Sequence, residues 1–290
     1  MEIFLHADDF GANREVSNNI LDCGDKLYSL SVLANAPGLA HSLRLYKKKG
    51  CSAKLCLHLN LAEGESLAGK SMAPLLTDER GMFKLSFFRL LIMSYFPRRK
   101  ALKKQIKREF ALQTDRFLSA CEANGIPRPA LMRIDSHQHY HMIPLVLEAA
   151  LEVMREKHLK IGFIRIPAEP LGPFIRTPGI WKTVRFINLL KNLVLNALAK
   201  LDRKILLPYR ARTAVFFGIM LSGGMDKARV SALLPHFKEV ARKRGLPLEI
   251  LAHPGGCTSG FLDPANSGCV KFYSSKNRRV EKYMLTHLNL

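Results

Sequence analysis

The sequence predicts an α/β fold built on a parallel sheet, open or closed into a barrel. Three observations carry this expectation. Seven β-like runs alternate with helical stretches along the chain. The polar, ionisable residues cluster at the C-terminal ends of those runs, where α/β folds build their sites. The 290 residues, 48% of them hydrophobic, suffice for one large core or two small ones.

In chain order, EIFLHA (2–7) is the first strand, and a helical stretch starts near Asn13. SLSVLANA (29–36) and KLCLHLNL (54–61) are the next two strands; the second sets Cys56, His58 and Asn60 on one face and leucines on the other. A long helix covers about 99–124. ALMRID (130–135) is a strand, 144–158 a helix, GFIRIP (162–167) a strand and 182–202 a helix. AVFFGIM (214–220) is a strand, 226–244 a helix, and LEILAHP (248–254) the last strand. No repeat, low-complexity tract or Gly/Ser linker interrupts this order.

No apolar run reaches the roughly 18 residues of a membrane-spanning helix. MEIFLHADD lacks the basic start of a signal peptide, which leads to the expectation of a cytoplasmic protein. The six cysteines form no C-x-x-C pair and read as reduced thiols; Cys56 fits a strand packing position better than a metal pair with Cys51.

The net charge of +21 draws in nucleic acid, anionic lipid or anionic glycan without choosing among them. Two segments concentrate it: residues 84–108, where an aromatic and aliphatic stretch runs into a basic one, and 181–212, where Lys and Arg separate apolar residues at helical spacing. One reading is a pair of packed helices with solvated basic faces. The other is a basic amphipathic surface resting on anionic headgroups, such as the inner membrane surface. Neither segment carries a nucleic-acid module signature, so no nucleic-acid partner is expected.

HADDFG (6–11) sets two carboxylates side by side at the end of the first strand. Strand neighbours point to opposite faces, so the chain must turn out of the sheet for both to reach one cavity, and Gly11 permits that. Asp9 or Asn13 capping the next helix is the structural alternative. The functional reading divides the labour: one carboxylate binds a divalent metal and the other is a general base. Nitrogen ligands are available in His58 and in RIDSHQHYHM, where Asp135, His137, His139 and His141 recur at period two. His253 ends the last strand in LAHPGG.

Together, ADDFG, LHLNLAEG, DSHQHYH, RIPAEP and HPGG, spanning residues 7–256, resemble the YdjC family of carbohydrate deacetylases, which includes chitooligosaccharide deacetylases and hopanoid-glycolipid enzymes. The resemblance implies an irregular, TIM-like (β/α) barrel of about seven parallel strands. It implies one divalent ion (Zn2+ or Mg2+) held by Asp9, His58 and His137, with Asp8 as base, His253 as general acid and Arg165 orienting Asp8. The substrate class it implies is an N-acetylated oligosaccharide or glycolipid that loses acetate, and it implies a homodimer. The chain then reads as a single deacetylase domain over 1–290 with a basic helical insert at about 171–212, longer than a minimal chitobiose enzyme requires and closer to the glycolipid branch. His139 and His141 orient ligands, touch sugar hydroxyls or pack beneath the site.

The rival readings are a non-catalytic basic barrel that binds membrane or glycan, an iron oxygenase using two histidines and a carboxylate, and a metal phosphohydrolase. The spare Asp8 and late His253 have no role in an oxygenase, and a two-metal site needs more ligands than the motifs supply.

Overall fold

The computed structural model describes residues 1–290. Seven strands run parallel in the order β5-β4-β3-β2-β1-β7-β6. They are β1 (Ile3–Phe10), β2 (Ser29–Leu33), β3 (Lys54–Leu59), β4 (Met132–Ser136), β5 (Ile161–Ile164), β6 (Val215–Phe217) and β7 (Leu248–Ala252). The sheet curls into a TIM-like half-barrel. Its two edges meet at one point, where Arg212 N donates to Gly162 O and Ile164 N to Arg212 O, both at 3.0 Å.

Helices α1 (Arg14–Leu21), α2 (Leu39–Lys48), the short α3 (Gly69–Met72), α4 (Phe87–Met93), α5 (Arg99–Ala123) and α6 (Pro144–Glu156) surround the first four strands. The short α7 (Gly172–Ile175) and α8 (Pro178–Trp181), then α9 (Phe186–Leu206) and α10 (Lys227–Arg244), flank the others, and α11 (Ser267–Tyr273) and α12 (Asn277–His287) end the chain. The expected helix 182–202 is the single helix α9, which starts and ends four residues later, and the short α8 precedes it as a separate turn. No helix is long and apolar enough to cross a membrane. All six cysteines are free thiols.

Side-chain alternation explains both surfaces of the sheet. Leu5, Ala7, Leu30, Val32, Leu57, Leu59, Ile134, Phe217 and Ile250 face outward and pack under the helices in one large apolar cluster. The inward positions are mostly polar. Phe4, Phe163 and Ala214 plug the bottom of the barrel, and Arg133 lies over the Phe163 ring. Above them His6, Ser29, Ser31, Asp135, Arg165 and Glu249 are buried. Asp8, also buried, lies two residues beyond His6 on β1, and the buried His58 pairs in register with Asp135. An interior so polar must be paired, because each unpaired buried charge is costly.

Candidate metal centre

β1 delivers both carboxylates to one cavity by breaking its own geometry. Phe4, His6 and Asp8 are the inward positions of the strand; on a regular strand Asp9 would face the helices. Instead Asp9 adopts φ +70°, and the pairing with β2 slips, Ala7 opposing Leu30 while Phe10 opposes Val32. The extra residue is a bulge that re-aims Asp9 inward. The turn thus occurs at Asp9 itself, before Gly11. A left-handed backbone at a non-glycine residue is uncommon and concentrates at functional sites. Asn13, not Asp9, caps α1, its Oδ1 accepting from Val16 N at 2.9 Å.

Asp9 meets two histidines. His137 Nδ1 lies 3.0 Å from Asp9 Oδ1, and His58 Nε2 lies 3.5 Å from the same oxygen. One ligand atom from each of the three buried residues falls within 4.8 Å of the others. Each histidine is held from behind by a further carboxylate. His58 Nδ1 donates to Asp135 Oδ1 at 2.7 Å, and His137 Nε2 lies 3.3 Å from Glu63 Oε2. Glu63 is itself fixed by Gln138 Nε2 at 2.7 Å. This arrangement aims the opposite ring nitrogen of each imidazole at Asp9, where a bound cation would take the place of a proton.

Arg165 organises the remaining charge. Its Nη1 lies 2.9 Å from Asp8 Oδ2 and 2.7 Å from Asp135 Oδ2, and its Nη2 3.0 Å from Glu249 Oε1. It therefore holds three carboxylates rather than Asp8 alone. Burial works against the Asp8 and Asp9 anions, but Arg165 and His58 around the first and His137 around the second hold both carboxyls well below the usual range. Burial also works against charging His58, yet Asp135 and Asp8 raise it to about 9; His137 is likewise pushed to about 10, mainly by Asp9.

These residues fit a cation. Asp8, Asp135 and Glu249 share one guanidinium while the buried Asp9 and Glu63 have only imidazoles as charged partners, and Asp9 Oδ2 and His58 Nε2 have no hydrogen-bond partner. The raised histidines report the same demand for positive charge. One carboxylate and two imidazoles form a three-ligand set of the catalytic kind. A second convergent group, His6, Asp8 and Asp135, already has its cation in Arg165, so Asp9, His58 and His137 form the better site.

His253 follows β7. Its backbone N donates to Glu281 Oε2 at 2.7 Å, and its Nε2 stands 4.0 Å from Asp8 Oδ2. Asp8, Glu63, His137, His139, Lys191 and His253 are among the residues lining a cavity of about 440 Å³. A larger depression, about 680 Å³ around Asp115, Glu122 and Arg128, gathers no comparable set.

The extended, period-two course of the histidines after β4 gives way to a turn, although His137 and His139 both line the cavity. Residues His137–Met142 form a tight 3-10 turn, with Gln138 and His139 in left-handed conformations. Only His137 reaches Asp9. His139 lines the cavity, while His141 turns beneath it, its ring nitrogens bonded to Ser136 Oγ at 2.6 Å and Arg165 O at 2.8 Å. Cys56 lies inside the barrel on β3 and belongs to neither convergent group. Sequence reasoning left Glu63, His6, Glu249 and Glu281 without roles. Glu63 lies in LHLNLAEG and was findable; Glu281 sits in a terminal helix whose sequence carries no signal.

The family model described as YdjC-like protein matches residues 2–290. A carbohydrate deacetylase from Brevibacillus brevis is 27% identical over 56% of this chain and 59% of its own length. A carbohydrate deacetylase from Danio rerio is 26% identical over 59% of this chain and 51% of its own. A chitooligosaccharide deacetylase from Proteus mirabilis is 28% identical over 58% of this chain and 60% of its own. The matches thus span between half and two thirds of these relatives. A solved structure from Enterococcus faecalis V583, provisionally described as a cellobiose-phosphate cleavage protein, has the same fold, with TM-score 0.66, 19% identity, and 98% of this chain and 90% of that one covered.

Proposed function

Because the chain belongs to the family of YdjC-like proteins, we propose that it hydrolyses the N-acetyl group of an amino sugar in an oligosaccharide or glycolipid, releasing acetate. The observation that carries this reading is Asp8, a buried carboxylate beside the convergent Asp9, His58 and His137 yet outside that ligand set. The relatives named as carbohydrate and chitooligosaccharide deacetylases support it.

Asp9, His58 and His137 would hold one divalent cation, zinc or magnesium, which supplies Lewis acidity to an amide carbonyl and lowers the pKa of a water. Asp8 takes the proton from the attacking water as its oxygen bonds to the carbonyl carbon. Arg165 keeps Asp8 ionised and aimed, through the 2.9 Å contact. As the C–N bond breaks, His253 gives a proton to the departing amine. Asp135 and Glu63 hold the two imidazoles in the ligating tautomer. The reading treats residues 1–290 as one catalytic unit carrying a basic helical insert at about 171–212.

The test is acetate release from N-acetylated chitooligosaccharides and N-acetylated glycolipids, with metal analysis of the purified protein. Activity on one class, abolished in Asp8→Asn while bound metal stays near wild type, supports the assignment. Full activity in Asp8→Asn removes the base role, and no acetate from any N-acetyl sugar removes the reaction.

A further inference from the structure

Helix α9 is inverted. Its buried residues are Asn188, Asn192 and Asp202 with Leu195 and Leu198. Its outer face carries Phe186, Leu193 and Leu201, 78%, 48% and 56% exposed. The inner asparagines have a local reason: Asn188 Nδ2 donates to the carbonyls of Met220 and Ser222, and Asn192 Nδ2 to that of Glu169. The Glu169 carboxylate in turn accepts from the backbone of Gly218, Ile219 and Met220. The helix is thus pinned to the barrel by polar contacts, and its apolar stripe is left to the outside. A helix facing only water carries the opposite polarity.

Helix α4 extends the same face. Phe88, Ile92, Tyr95 and Phe96, on α4 and just after it, are all exposed. Phe87 and Phe88 share an apolar groove of about 200 Å³ with Ile187, Leu190 and Val194 of α9. So many large exposed apolar side chains on adjoining helices exceed the scattered singles of an ordinary surface. The rim is cationic. Residues 80–108 and 170–201 contain no Asp or Glu, and Arg89, Arg98, Arg99, Lys182, Arg185 and Lys200 are exposed there.

We propose that this face docks on an anionic lipid bilayer, the outer stripe of α9 and the end of α4 seated at the boundary between headgroups and acyl chains. Exposed apolar side chains ringed by Lys and Arg match that boundary in polarity and charge. A second copy of the chain fits poorly, since a two-fold contact would set identical cationic rims against each other. Gln138 and Lys191 line both the groove and the catalytic cavity, so the docked protein holds its cavity mouth at headgroup level.

The experiment is co-sedimentation of the full chain with phosphatidylcholine vesicles, with and without phosphatidylglycerol, at low and high salt. Phe186→Ser with Leu193→Ser changes two exposed residues that belong neither to the ligand set nor to the cavity lining, and thermal unfolding checks that the variant folds. The expected result is binding to the anionic vesicles that weakens with salt and drops roughly tenfold or more in the double variant. Four results overturn the proposal: no sedimentation with anionic vesicles, equal binding to both vesicle types, a double variant that binds like wild type, or a dimer by light scattering that the double variant dissociates. None requires turnover, so a failure here is separate from a failure of the deacetylase reading.

Discussion

Asp135 Oδ1 accepts the Nδ1 proton of His58 at 2.7 Å, which aims His58 Nε2 at Asp9. The ring nitrogen left to bind a cation is thus set by a carboxylate that is not among the residues lining the cavity. Asp135→Asn keeps the shape but presents a weaker acceptor. It is expected to reduce metal affinity about 10–100-fold, read by competition with a chelating dye.

Asp9 supplies the only carboxylate in the proposed ligand set. Asp9→Ala is expected to leave the purified protein nearly free of metal. Stripping the cation with a chelator should lower the Tm of the wild type, by linkage worth about 3–4 kcal/mol at hundreds to a thousand times Kd, and leave the Tm of Asp9→Ala unchanged. A chelator-insensitive wild type contradicts the assignment.

Arg165 is completely buried among Asp8, Asp135 and Glu249. Arg165→Met removes the one guanidinium and leaves those anions unpaired. The expected cost is about 3–5 kcal/mol of folding stability, measured by urea unfolding. Arg165→Lys, a point charge in place of a fork, is expected to recover only part of it.

Glu281 accepts the backbone N–H of His253 at 2.7 Å, and its Oε2 lies 3.6 Å from His253 Nδ1. It acts on the reaction only through the placement of that ring. Glu281→Gln is expected to lower kcat about 10-fold or more with KM near wild type. Steady-state kinetics separates this from a binding defect, which would raise KM instead.

Asp202 is buried on the inner face of α9, both carboxylate oxygens unpartnered. Burial, with Glu148 nearby, pushes its carboxyl up to about 8. The folded state therefore keeps a proton that the unfolded chain has lost above the ordinary carboxylate range. Stability from this group is complete at acidic pH and declines as pH rises toward 8. Asp202→Asn should abolish that decline, with a stability gain over wild type that grows from pH 5 to pH 8 and reaches on the order of 3 kcal/mol. Melting curves across that pH range check it; a gain independent of pH would contradict it.

Strand and helix order was legible because apolar periodicity is a local property. Leu5, Ala7, Leu57 and Leu59 announce the outward face of the sheet in the sequence and occupy it in the structure. Helix limits were less legible. The long helix runs Phe186–Leu206, four residues later than the apolar spacing places it, after a separate short helix Pro178–Trp181.

By itself the sequence determined the parallel α/β architecture and the segments that carry ionisable residues, since alternation, turn residues and motif spacing are written along the chain. The tertiary structure decided which of those residues meet. The bulge at Asp9 reverses the direction that strand alternation assigns, and the 3-10 turn after Ser136 brings His137 to Asp9, leaves His139 on the cavity wall and tucks His141 against Ser136 and Arg165. It also set Glu63 and Asp135 behind the imidazoles and turned the apolar stripe of α9 outward. Side-chain direction at such points follows from backbone conformation and from contacts between residues distant in sequence, and neither can be read from composition or spacing.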